Sequence, residues 1–144
     1  MEERELAIIG GGPAGITAGL YAARSRLDVI LFEKSVAGGA ATLTEHIENY
    51  PGFPGGITGS ELGSRMAEQA RGFGLEMRLS VVQRLQVADG YFLLGTGSGD
   101  VVARSVILAT GTRPRSLEVP GEREFLGRGV SYCATCDGPL FEGC

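Results

Sequence analysis

The sequence has no long hydrophobic run, no excess of basic charge and no dense set of cysteines, and each shortage removes a class of protein. No apolar stretch approaches the ~18 residues of a membrane-spanning helix. The first residues, Met1-Glu2-Glu3-Arg4-Glu5, carry the wrong charge for a secretory signal. A cytoplasmic location without membrane association is therefore expected. Net charge is −4, and no basic stripe exists to neutralise phosphates along a nucleic acid, which argues against that partner. Three cysteines in a chain with no export signal do not make a structural disulfide framework. The one histidine, His46, has no evident nucleophile or carboxylate partner and reads as structural.

Glycine is what the chain has in excess: 24 in 144 residues, where average usage of ~7% would give about 10. These glycines cluster between apolar runs, as expected where the backbone needs unusual conformations. The length suits one domain of ordinary size.

Leu6-Ala7-Ile8-Ile9 reads as a strand buried on both faces of a parallel sheet, broken by Gly10-Gly11-Gly12. Pro13 suits the first turn of a helix that runs to Arg24–Arg26, and residues 28–33 form a second strand. Residues 34–59 show little periodicity, and a connection this long is more often functional than a mere link. Ser60 is a plausible N-cap for a helix from Glu61 to about Phe73, stopped by Gly74. Residues 81–88 and 91–96 form a hairpin around Asp89-Gly90. A second turn over residues 97–100 leads into Val101-Val102, and residues 105–109 read as another buried strand. Beyond Pro114 and Pro120 the chain becomes irregular. The fold class is α/β: a Rossmann-like βαβ unit with a small antiparallel β insertion.

The spacing Gly10-x-Gly12-x-x-Gly15 gains force from its context: a strand before it, a helix after it, and Glu33 ending the second strand. Gly10 permits the tight turn, Gly12 lets the backbone approach a pyrophosphate, and Gly15 permits close helix–strand packing. The phosphates would sit at the positive end of the helix, and Glu33 would accept hydrogen bonds from ribose hydroxyls. That acid disfavours a 2′-phosphate, so the site suits FAD or NAD and not NADP. Asn49, within Ile47-Glu48-Asn49-Tyr50-Pro51-Gly52, has the donor and acceptor to bond a flavin edge, although a plain surface loop also fits the spacing. Cys133-Ala134-Thr135-Cys136 is either a redox dithiol or half of a zinc site. Only Cys144 and His46 remain to complete four zinc ligands, at irregular spacing, so no metal is expected. Asp137 could exchange the proton that thiol–disulfide chemistry requires.

Residues 9–15 (IGGGPAG), Gly38-Gly39, residues 47–53 (IENYPGF), Ala109-Thr110-Gly111 and residues 133–138 (CATCDG) occur in the order found in low-molecular-weight, bacterial-type thioredoxin reductases. The chain resembles the N-terminal portion of that family along nearly its whole length. The resemblance implies that NADPH reduces FAD and that electrons pass to a Cys133–Cys136 disulfide, then to thioredoxin or a similar small disulfide protein. Cys136 would face the flavin, Cys133 would attack the partner and Asp137 would serve as the acid. Gly10, Gly12, Pro13, Ala14, Gly15 and Glu33 would hold the pyrophosphate and ribose. Lys34, Gly39, Ala40, Thr44 and Asn49 would approach the cofactor further along, with Val82, Ala109, Thr110 and Gly111 lining it from other loops. Ala40 stands where the family usually has Gln, removing a side-chain contact. The implied domains are residues 1–114, part of an FAD-binding domain, and 115–144, a linker and the start of an NADPH-binding domain. The NADPH motif is expected beyond these residues, in an incomplete two-dinucleotide-domain flavoprotein fold that is homodimeric at full length. A non-catalytic flavin-binding module or an inactive fragment are the other readings.

Overall fold

The computed structural model describes residues 1–138 and 142–143, with Thr135 and Cys136 described as backbone only. The chain divides into two compact units, Met1–Gly111 and Thr112–Cys144. In the first unit the order is β1 (Glu2–Ile9), α1 (Pro13–Arg24), β2 (Val29–Glu33), a short 3₁₀ helix (Gly39–Leu43), α2 (Gly59–Gly72), β3 (Glu76–Leu79), β4 (Val82–Ala88), β5 (Tyr91–Thr96) and β6 (Val101–Leu108). The six strands make one sheet in the order β3-β2-β1-β6-β5-β4. The β3-β2-β1-β6 part is parallel, and β5 and β4 continue it antiparallel.

Alternation along the strands divides the core. Leu6 and Ile8 of β1 and Val29 and Leu31 of β2 face α1 and α2, packing on Ile16, Ala22, Ala67 and Ala70. Ala7, Ile30 and Phe32 point the other way and join Leu94, Val101 and Ala103. This second cluster is built from strands alone. Ile9, Val82, Phe92 and Val106 pack against it from the same sheet. All five residues of β2 are buried, which explains their unbroken apolar character up to Glu33.

Several expectations need correction. β1 begins at Glu2, earlier than its apolar run, because its charged start is held in place electrostatically. Arg4 pairs with Glu2, Asp28 and Glu76, while Arg78 of β3 pairs with Glu2 at 2.7 Å and Glu76 at 2.5 Å. These pairs tie the starts of β1 and β3 together across β2. β3 itself has too few apolar residues to stand out in the sequence. Thr58, not Ser60, caps α2: its hydroxyl accepts the Glu61 N–H at 3.2 Å, three residues on, in a T-x-x-E spacing. Residues 101–108 form one strand, not two segments, and its second half is not buried. β5 pairs only as far as Ala103, so beyond it β6 has β1 on one side alone, and Leu108 is 65% exposed. The small antiparallel insertion is present as expected, and β5 hydrogen-bonds directly to β6 so that it continues the parallel sheet. Its turn is as expected, with positive φ at Asp89 and Gly90.

The second unit is organised by turns. Glu122 is buried and accepts hydrogen bonds from Ser116 Oγ at 2.7 Å, Leu117 N–H at 2.9 Å and Glu118 N–H at 2.8 Å. A further turn is closed by Phe125 N–H to the Gly121 carbonyl and Val130 N–H to the Phe125 carbonyl, both 2.9 Å. A single helical turn, α3 (Ala134–Asp137), carries the cysteine motif.

Candidate nucleotide and dithiol sites

The loop between β1 and α1 is shaped by what its glycines exclude. Gly10 has φ +111°, and a Cβ there would lie 2.2 Å from the Ala109 carbonyl oxygen. A Cβ on Gly15 would lie 1.8 Å from the Gly10 carbonyl oxygen, so helix and loop approach more closely than any other residue permits. Gly12 is different. Nothing lies within 4 Å of its missing side chain, leaving open space at the entrance to α1. Pro13 occupies the first helical turn, no side chain caps the helix and no acid lies in its first turn. The first-turn N–H groups thus retain a positive end without an internal partner.

Glu33 reaches back from the end of β2 to this loop. Its Oε2 accepts the Gly11 N–H at 2.6 Å, and its Oε1 accepts the Ser35 N–H at 3.0 Å and the Ser35 hydroxyl at 3.4 Å. Glu33 is 9% exposed and joins the glycine loop to Ser35 through its two oxygens. The G-x-G-x-x-G pattern overlooks Gly11, where a Cβ would meet Glu33 Cβ at 2.8 Å. The run of three glycines was the available signal. Lys34 is exposed beside this acid.

Two further chain segments meet the loop. Gly38 donates its N–H to the Gly11 carbonyl at 2.7 Å, and a Cβ on Gly39 would sit 3.0 Å from Gly12 Cα. Gly38 has φ +108° and is wedged against Gly63 of α2, whose Cα would lie 2.9 Å from a Gly38 Cβ. Ala40 and Thr44 belong to the 3₁₀ turn and its end, and the Thr44 carbonyl accepts the Gly59 N–H at 2.9 Å. On the other side Ala109 donates to the Ile9 carbonyl at 2.9 Å, which sets Ala109 and Thr110 beside Gly10. Gly10, Gly12, Pro13, Gly15, Glu33, Gly39 and Ala109 are therefore brought together.

Asn49 and Val82 stand apart from that grouping. Asn49 lies on an exposed loop closed by bridging of Ile47 to Ile57, and no hydrogen bond among the described residues joins it to the glycine loop. That loop leans on α2 through Tyr50 Oη and Met66 Sδ, 3.9 Å apart, and Arg65 over the Phe53 ring. Val82 starts β4 and packs on the strand-only core cluster. His46 packs against Gly56 and, against expectation, has a carboxylate neighbour, Glu48 Oε1 at 3.3 Å from its Nε2.

In the second unit, Cys133 is disulfide-bonded. Its N–H donates to Ser131 Oγ at 3.0 Å, and the Ser131 hydroxyl donates to Asp137 Oδ2 at 2.5 Å. The Asp137 N–H in turn donates to the Cys133 carbonyl at 2.9 Å. The Cys136 side chain and Cys144 lie outside the described residues. Among the described residues no cluster of His, Cys, Asp or Glu has the arrangement of a metal site, and no helix is long and apolar enough to cross a membrane.

A glycine loop packed to exclude side chains, on one chain with a half-cystine in a C-x-x-C turn, defines a class of protein that joins dinucleotide binding to disulfide chemistry. The family model for pyridine nucleotide-disulphide oxidoreductases matches residues 4–142, and the chain belongs to that family. Its relatives narrow the resemblance to thioredoxin reductases. It is 51% identical over 140 residues to the bifunctional thioredoxin reductase/thioredoxin of Mycobacterium leprae, covering 96% of this chain and 31% of the relative. It is 46% identical over 137 residues to the thioredoxin reductase of Treponema pallidum, covering 95% of this chain and 45% of that protein. The crystal structure of thioredoxin reductase from Streptococcus pyogenes superposes with a TM-score of 0.86 at 45% identity, covering 96% of this chain and 45% of that one. The chain thus spans 31% to 45% of the length of these relatives.

Proposed function

We propose that this chain is the FAD-binding and dithiol-bearing portion of a disulfide reductase of the thioredoxin reductase type, working in the cytoplasm on thioredoxin or a similar small protein disulfide. The observation that carries the reading is the disulfide-bonded Cys133 in a turn that also holds Asp137, on a chain whose other unit bears the glycine loop. The residues present fit a dinucleotide: open space over Gly12, an uncapped helix start and a buried acid at the end of β2. Gly12, Pro13, Ala14 and Gly15 would hold the pyrophosphate. Gly10 shapes the turn and Gly39 backs it. Glu33 keeps one acceptor position on Oε2 for a ribose hydroxyl beyond those already used. Lys34, Ala40, Thr44 and Asn49 would lie along the cofactor, with Val82, Ala109, Thr110 and Gly111 opposite. The first segment up to residue 114 serves the flavin, and residues from 115 lead into a part that binds NADPH elsewhere in the full-length homodimer. FAD bound at this loop supplies a two-electron carrier between NADPH and a disulfide.

The chain's own residues then perform thiol–disulfide exchange. With Cys133 and Cys136 reduced, the Cys133 thiolate attacks one sulfur of the partner disulfide. A mixed disulfide forms, and the displaced partner sulfur takes a proton from Asp137. Asp137, now a carboxylate, takes the proton of the Cys136 thiol as that sulfur attacks Cys133 and re-forms the internal disulfide. It passes that proton to the second partner sulfur as that sulfur leaves. Two electrons and two protons pass to the partner in each turnover.

The test is anaerobic incubation of the oxidised chain with a stoichiometric amount of dithionite-reduced FAD, followed by gel filtration and thiol counting. A gain of about two thiols per chain that disappears in Cys133→Ser is expected for a redox-active pair. An unchanged thiol count would leave a nucleotide-binding module without redox chemistry.

A further inference from the structure

The cysteine turn contains a hydroxyl that the disulfide chemistry above does not use. Ser131 lies two residues before Cys133 and six before Asp137, and it is bonded to both. Its Oγ accepts the Cys133 N–H at 3.0 Å and its hydroxyl proton goes to Asp137 Oδ2 at 2.5 Å. The Asp137 N–H to Cys133 carbonyl bond, 2.9 Å, closes the same turn from the opposite end. One small side chain therefore fixes the carboxylate to the backbone of the residue carrying the reactive sulfur. Without it, Asp137 stands at the end of a single helical turn, which too few hydrogen bonds hold to restrain a side chain. A proton donor contributes only when it is held within hydrogen-bond reach of the group it serves. A loss of orientation without loss of the group is enough to slow such a step substantially.

We propose that Ser131 is a positioning residue for thiol–disulfide exchange, holding Asp137 so that it can protonate the sulfur that leaves the partner disulfide. The inference rests on the reading of Cys133–Cys136 as the redox pair and of Asp137 as its acid. In the step concerned, the Cys133 sulfur bonds to one partner sulfur, the partner S–S bond breaks, and the Asp137 proton goes to the departing sulfur. Ser131 keeps its own proton throughout.

The chemistry offers a readout that a structural part would not move. An alkyl thiolate is a basic leaving group and benefits from a proton donor, whereas an aromatic thiolate leaves unaided. The chain, in a Cys144→Ser background, is reduced, freed of reductant and mixed with cystamine or with 5,5′-dithiobis(2-nitrobenzoate). Ser131→Ala is expected to slow the cystamine reaction about tenfold and the aromatic one by less than about twofold. Ser131→Thr, which keeps the hydroxyl, should restore the cystamine rate to within about twofold. In an Asp137→Asn background the alanine change should add less than about twofold, because the two groups act as one unit. Equal slowing with both disulfides, no slowing with either, or full additivity with Asp137→Asn would overturn the inference while leaving the dithiol reading intact. If the parent chain exchanges with neither disulfide, or Cys133→Ser reacts like the parent, both readings fall together.

Discussion

The two units build their sites in opposite ways. In Met1–Gly111 the glycine loop is assembled from segments far apart in sequence: residues 10–15, Glu33 and Ser35, Gly38-Gly39, Gly63 and Ala109. In Thr112–Cys144 every described hydrogen bond of note is local, from Glu122 to residues 116–118 and from Ser131 to residues 133 and 137. A site made of distant backbone held at van der Waals contact tolerates no added atom where those segments touch. A site made of one turn tolerates substitution nearby, provided its few polar bonds survive. The first kind derives its geometry from the core; the second carries its geometry in a contiguous motif.

Glycine substitutions break this comparison most sharply. Gly15→Ala places a Cβ 1.8 Å from the Gly10 carbonyl oxygen, and should destabilise the first unit by about 3 kcal/mol or more in urea unfolding. Gly12→Ala meets no protein atom within 4 Å. It should leave stability within about 1 kcal/mol while weakening FAD binding, read by flavin fluorescence, by about tenfold or more. Equal effects of the two changes on stability would remove the distinction between a packed and an open glycine.

Glu33→Ala comes next. It strips the partner from the buried Gly11 N–H at 2.6 Å and from Ser35, and should cost about 2 kcal/mol by the same unfolding measurement. Glu122→Ala also removes the acceptor of several bonds, but within a local turn. It should speed hydrogen exchange at the Leu117 and Glu118 amides while leaving the unfolding midpoint of the first unit unchanged. The Ser116 hydroxyl, followed by the Leu117 N–H, holds the Glu122 carboxyl below its usual range, so this protection persists at neutral pH and fades on strong acidification.

The smallest effect concerns acid stability of the first unit. Hydrogen bonding from Arg78 and then Arg4 lowers the Glu2 pKa to about 2. A carboxylate depressed on folding stabilises above its unfolded value and loses that contribution as pH falls towards the folded value. Glu2 is a third exposed, so screening reduces the contribution to about 1 kcal/mol. Glu2→Gln should lower stability by that amount at pH 7 and by almost nothing at pH 2; an equal loss at both would show that packing, not charge, joins β1 to β3.

Much of this was legible beforehand. The apolar run before the glycines, Pro13 after them and Glu33 at the end of β2 specify a βαβ unit because each is a local backbone requirement. The turn at Asp89-Gly90 and the stop at Gly74 were legible for the same reason, both needing positive φ at glycine. β3 was not, since its residues are held by ion pairs to β1 and leave no periodic trace. The exposed second half of β6 was not either, because Val106, Ile107 and Leu108 read the same whether a strand has one neighbour or two.

The sequence by itself determined the class of fold, the glycine loop and the cysteine motif, because local conformational preference and contiguous spacing are written along the chain. Only the tertiary structure decided that Gly11, Gly38 and Gly63 must also lack side chains, and that Glu33 is bound to the loop it faces. It also decided that Ser131 links Asp137 to Cys133. Those facts are distances between groups, set when the strands pair and the turns close, and no residue carries them alone.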